Sequence, residues 1–172
     1  MTSDPIAEEA EARARRHAGS ARFGMIENEN LIGMRGEQAF GELFDLPVDL
    51  TPRPEGDAGF DFRLPLRIDD ESVRVFEVDV KTISERRFPS TRVLMVDRTR
   101  IKAQRIYVLA EYFFAVDRAT LRGWEWGSVI MRSPIRNFGG AYIESHWIKA
   151  ASLRRILELM ERYHDSRCNA AD

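Results

Sequence analysis

Gly56-Asp57-Ala58-Gly59-Phe60-Asp61-Phe62-Arg63-Leu64-Pro65-Leu66, followed by Val73-Arg74-Val75-Phe76-Glu77-Val78-Asp79-Val80-Lys81-Thr82-Ile83, decides the fold. Phe60, Phe62, Leu64 and Leu66 alternate with polar or turn residues, the pattern of a half-buried strand. Residues 73–83 alternate again, and Asp69-Asp70-Glu71-Ser72 between them is turn chemistry. Two strands of matched length joined by a short loop predict an antiparallel hairpin. Side chains on a strand repeat every two residues, so Glu77, Asp79 and Lys81 share one face. The hairpin therefore carries Asp61 on one strand and an Asp-x-Lys on the next.

Working outward, Asp4-Pro5 reads as an N-cap followed by proline at the first helical position, opening a helix through residue 17. Residues 1–22 form an N-terminal helical segment that need not belong to the core at 27–165. A second helix is expected over 27–44, with Leu31, Met34, Gln38 and Leu43 along one side. Past the hairpin, 92–96 predicts a third short strand, and 98–105 a short helix or a basic loop. Residues 106–116 are strongly β-like and nearly all apolar, which places them centrally, with 121–131 as their partner. Asn137 to Gly140 is a turn. A last helix, beginning at 148 or 150 and running to 163, carries Leu153, Ile156, Leu157, Met160 and Tyr163 at helical spacing. The expected class is mixed α/β: one domain over 1–172, with a central mixed sheet of four to five strands flanked by helices.

With 172 residues, 44% of them apolar and 31% charged, the chain can bury a full core. No apolar run approaches the ~20 residues of a membrane helix. Cys168 is the only cysteine, which excludes an internal disulfide framework and fits a reducing, cytoplasmic setting. His164 and Cys168 have a spacing zinc can use, but no second pair accompanies them. Net charge is −2, so the whole chain is no simple polyanion binder. Its distribution is uneven: residues 42–79 hold eleven carboxylates against four arginines, and residues 81–105 hold eight cations against two acids. An acidic segment abutting a cationic one suits a metal site beside a phosphate-binding surface.

Phosphodiester hydrolysis needs an activated water and relief of charge on the phosphate, both within the power of a divalent cation. Mg²⁺ takes hard oxygen ligands and needs only one or two carboxylates beside its waters and substrate. Asp61 and Asp79 supply two carboxylates, and the Val80 carbonyl a third oxygen. Lys81 shares the face of Asp79, where an ammonium can orient water or hold the scissile phosphate. Asp57 competes with Asp61 for the first acidic position; Asp61 stands inside the apolar alternation and is preferred. Glu77 reads as a pairing partner for an arginine. Arg86, Arg87, Arg98, Arg100 and Lys102 are the expected phosphate contacts.

These motifs resemble the PD-(D/E)XK nuclease superfamily. Residues 56–62 resemble its first acidic strand, Glu77-Val78-Asp79-Val80-Lys81-Thr82 its acidic-x-lysine strand, and Arg35-Gly36-Glu37-Gln38-Ala39-Phe40 its preceding helix. The resemblance covers residues 31–109. It implies a restriction-endonuclease-like core, Mg²⁺ dependence with Mn²⁺ substituting, DNA cleavage, Glu37 completing the metal site, and a homodimer. Phe60 replaces the namesake proline, and the helix expected after the lysine strand is short or absent; Gln104 is the candidate for a further site position. A Holliday-junction resolvase of the same fold, a DNA-binding protein without catalysis and a plain interaction domain are the competing readings.

Overall fold

The alternation of the opening stretch does produce a hairpin. The computed structural model describes residues 4–17, 29–51, 59–69, 72–86, 92–137 and 144–168. In it β1 (Phe62–Arg67) pairs antiparallel with β2 (Val73–Ser84), Phe62 opposite Val78 and Leu66 opposite Arg74. The chain leaves this sheet for β3 (Val93–Asp97) and returns as β4 (Ile106–Phe113), which lies parallel to β2 with Val80 opposite Val108. Antiparallel β5 (Arg118–Trp126) completes a four-stranded mixed sheet of order β1-β2-β4-β5. Seven of the eight residues of β4 are buried, as a strand covered on both faces requires.

Two helices precede the sheet, α1 (Pro5–His17) and α2 (Glu29–Phe44). Asp4 caps the first: its Oδ1 accepts from the N–H groups of Ile6 at 3.1 Å and Ala7 at 3.3 Å, satisfying donors that a helix start leaves open. Ile6 and Ala10 bury against Met34, so α1 packs on α2. Helix α2 meets the sheet through Gly36, Phe40 and Phe44, one residue per turn. A Cβ at position 36 would collide with Thr82 and Ala110, so glycine permits the close approach. Leu43, read along one side with Leu31 and Met34, is 38% exposed; the stripe of Gly36, Phe40 and Phe44 faces the sheet.

One layer of core joins Phe40 and Phe44 of α2 with Leu64, Val78, Val108 and Trp124 of the sheet. The final helix α4 (Ile156–Cys168) adds Leu159 and Tyr163. Its expected start at 148 or 150 is overturned. Residues there alternate as a strand, β7 (Glu144–Lys149), and a single 3₁₀ turn intervenes before the helix. Leu157 is 50% exposed, and Leu159 takes the buried place instead. The expected partner strand 121–131 also shifts: it ends at Trp126 and gives way to the short helix α3 (Gly127–Ile130).

The other face of the sheet is covered by a second, three-stranded sheet of order β3-β7-β6, where β6 is Ile135–Asn137. Leu94 and Val96 of β3 pack on Ile83, Tyr107 and Leu109. A small sheet thus stands where a helix would be expected after the lysine strand. His146 is buried in this layer, its Nδ1 3.1 Å from the Ser133 carbonyl oxygen, a structural position. Among the described residues no helix is long and apolar enough to cross a membrane.

Candidate active site

The face of β2 covered by helices carries Val78, Val80 and Thr82. The face turned toward the small sheet therefore carries Glu77, Asp79 and Lys81, by the two-residue period. At this edge the two sheets part, leaving a cleft of about 780 Å³. Asp61, Asp79 and Lys81 line it from the hairpin; Asp97, Arg100 and Lys102 line it from the end of β3 and the turn that follows.

Asp61 sits one residue before β1. Its backbone N–H donates to the Val78 carbonyl at 2.8 Å, and its Oδ2 accepts from the Val80 N–H at 2.6 Å. The carboxylate therefore prolongs the ladder where the strand has ended. In extended backbone the N–H and C=O of one residue leave on the same side, so the Val80 carbonyl lies along this edge too. Asp79 is nearly buried, and its Oδ1 is 2.8 Å from Lys81 Nζ. Burial opposes the Lys81 ammonium, but Asp79 and, after it, Asp61 outweigh that effect, so the amine is held above the ordinary lysine range.

Arg105 is the largest contributor that sequence reasoning passed over. It stands immediately before β4 and is 4% exposed. Its guanidinium donates to Glu77 and to the Gly59 carbonyl, and Nη1 is 3.9 Å from Asp79 Oδ2. It thus ties the segment leading into Asp61 to the strand bearing Asp79. Arg105 also holds the Glu77 carboxyl below its usual range, the Arg105 hydrogen bond being the main cause. The signal was a cation directly ahead of an apolar strand, where its side chain had to go inside. Asp97 was likewise missed; its Oδ1 accepts from the N–H of Thr99 at 2.8 Å and from its hydroxyl at 2.7 Å, an Asx turn legible in Asp97-Arg98-Thr99.

The segment 98–105 is a basic loop of successive turns and not a helix. It is fastened by Ile101 N–H to the Asp97 carbonyl at 3.1 Å and by Gly127 N–H to the Arg105 carbonyl at 2.8 Å. Arg100 and Lys102 reach the cleft, 3.8 Å from Asp97 and 3.6 Å from Glu77 respectively. Arg98 instead pairs with Glu144. Arg86 lies beyond the far end of β2, its guanidinium 3.9 Å from the Phe114 ring centroid, away from the cleft. Gln104, exposed, lines a neighbouring groove. Arg87 and Asp57 fall outside the described residues.

Glu37 does not join the cluster. Helix α2 covers the opposite face of the sheet, and Glu37 Oε1 is 4.0 Å from Arg13 of α1. Among the described residues no group of three His, Cys, Asp or Glu side chains stands close enough to hold a metal. From the described residues, a cation between Asp61 and Asp79 would have those two carboxylates, completed by backbone and water oxygens. That donor set fits magnesium or manganese and does not fit the nitrogen and sulfur preference of zinc. Comparison with protein-family models, with curated proteins and with solved structures gave no match.

Proposed function

We propose that the chain is a Mg²⁺-dependent phosphodiester hydrolase acting on DNA as an endonuclease, built on a restriction-endonuclease-like core. One observation carries the reading. Asp61 and Asp79 line one cleft beside the Val80 backbone, with Lys81 Nζ 2.8 Å from Asp79 and the cations Arg100 and Lys102 on the facing wall. Two hard carboxylate ligands for a cation, an ammonium and a cationic wall are what cleavage of an anionic diester needs.

Asp61, Asp79 and the Val80 carbonyl would hold the cation. When bound, it would supply an acidified water and charge relief at a phosphate oxygen. Lys81, protonated beside Asp79, is suited to hold a non-bridging phosphate oxygen or orient the water, and not to remove a proton. Arg100 and Lys102 fix the diester in the cleft through sequence-independent contacts. Arg105 keeps Asp61 and Asp79 in register. Cutting both strands of a duplex would employ a second copy of the chain, so a homodimer belongs to the proposal.

The test is nicking of supercoiled plasmid with Mg²⁺ or Mn²⁺. Parent protein is expected to nick; Asp79→Ala and Lys81→Ala are expected not to. A parent that binds DNA and cuts under neither metal would make this a binding protein, and nicking unchanged in Asp79→Ala would move the site elsewhere.

A further inference from the structure

The four-stranded sheet has a notch. Strand β2 begins at Val73, but β4 pairs with it only from Val78, opposite Ile106. Among the described residues, 73–77 are laddered to β1 alone. The open side is a groove of about 740 Å³, within the range of ligand sites. Its wall combines Trp126 and Phe76, whose rings are 5.0 Å apart and 67° from parallel, with Arg74 and Gln104. Trp126 is half-buried: it leans on Trp124 with centroids 5.5 Å apart, yet lines the groove.

This groove is continuous with the catalytic cleft. Lys102 and Arg105 line both, and Glu77 between them is paired to each. The junction is therefore polar and carries two cations against one carboxylate. A groove that is cationic where it joins a phosphate site, and aromatic beyond it, matches the two halves of a nucleotide: phosphate first, then base. A base inside a duplex has both faces stacked and offers nothing to Trp126; an unpaired base does. An apolar peptide strand laid along the free β2 edge would meet Arg74 and the Glu77 ion cluster instead.

Resting on the hydrolase reading, we propose that this groove takes an unpaired nucleotide flanking the scissile phosphodiester. Its base lies against Trp126 and its backbone phosphate between Arg74 and Lys102, so the preferred substrate is DNA with a single-stranded flank.

The readout is the ratio of two affinities. Catalytically disabled full-length Asp79→Asn protein is titrated into a fluorescent blunt duplex and into the same duplex bearing a single-stranded overhang. The overhang is expected to bind about ten- to a hundredfold tighter, the effect of one base stacked on an aromatic ring. The ratio should fall toward one when Trp126→Leu is added, and to an intermediate value with Arg74→Glu. Arg74 is exposed, so that second variant separates a lost contact from lost folding, as does a thermal melt of each. A ratio near one in the Asp79→Asn protein overturns the proposal, as does an overhang preference that survives both changes. Plasmid nicking by parent protein is scored separately. Nicking with a ratio near one removes the flank site and keeps the hydrolase; a high ratio without nicking keeps the single-strand site and removes the hydrolase.

Discussion

Two buried arginines sit at opposite ends of β4, and their surroundings make opposite use of the same chemistry. Arg35, 8% exposed, lies against the far end. Its Nη2 is 2.5 Å from Asp4 and 2.6 Å from Asp117, Nε donates to Asp117 at 3.1 Å, and Nη1 donates to Gln38 at 3.0 Å. Tyr112 adds its hydroxyl to Asp117 at 2.8 Å. Each carboxylate belongs to a boundary: Asp4 caps α1, and Asp117, with φ of 47°, turns β4 into β5. Arg105, at the near end, also gathers two acids and a backbone carbonyl, but one of the acids is Asp79, which shares a cleft with Asp61 and Lys81. An arginine between carboxylates is a tie where the acids cap and turn. It becomes part of a site where an acid faces another across open space.

The largest contrast expected is therefore between Asp79 and Asp117. Asp79→Ala should slow plasmid nicking on the order of a thousandfold, as loss of several kcal/mol of charge stabilisation implies. Asp117→Ala should leave the rate per folded molecule within about twofold, since surface-turn changes away from a site act on stability alone. Equal losses in the two variants would erase the distinction between the clusters.

Next comes the stability of the tie itself. Arg35→Ala removes the guanidinium from two carboxylates and Gln38, leaving Asp4 its helix N–H donors and Asp117 the Tyr112 hydroxyl. A fully buried pair would cost about 3–5 kcal/mol when broken, but Asp4 and Asp117 are each about half exposed, so solvent screening reduces this to about 2 kcal/mol. For a chain of this size that lowers Tm by about 4–8 °C, with nicking per folded molecule unchanged. Calorimetry of the two proteins decides it; an unshifted Tm would mean the cluster ties nothing.

The same cluster has a pH signature. Asp4 and Asp117 are both held below the usual carboxylate range, the Arg35 hydrogen bonds being the leading cause in each. A carboxyl with a depressed folded pKa binds its proton less tightly folded than unfolded. Its stabilisation is thus present above an ordinary carboxylate pKa of about 4 and fades as pH falls below it. The Tm gap between parent and Arg35→Ala should narrow between about pH 5 and about pH 3. A gap independent of pH would assign the stabilisation to packing of the Arg35 stem.

How much of this was legible in the sequence depended on whether the information was local. Period-two alternation gave the hairpin and put Asp79 and Lys81 on one face; Asp4-Pro5 gave the α1 cap; the apolar run at 106–116 gave a central strand, which ends at Phe113. Arg105 and Asp97 were invisible as site members because their roles arise from a parallel pairing and a second sheet, contacts distant along the chain. Residues 148 and 149 were misread as the start of a helix because Ile148 fits both a strand paired to β3 and a helix leading to Ile156. Glu37 was placed by resemblance, and the sheet itself separates it from Asp79.

The smallest expected effect tests the outer limit of the cationic surface. Arg86 was grouped with Arg100 by sequence alone. Five residues beyond Lys81 on extended backbone is roughly 16 Å, and its guanidinium already rests on Phe114. An exposed cation–π contact is worth about 0.5–1 kcal/mol, so Arg86→Ala should shift Tm by at most about 4 °C. Its effect on DNA should be nil. Each phosphate contact contributes about 0.9 to the slope of log affinity against log salt, so Arg100→Ala should flatten that slope by about one contact while Arg86→Ala leaves it unchanged. Equal flattening by both would carry the DNA path past the end of β2 toward the Arg35 cluster, and the two ends of β4 would then share one binding surface.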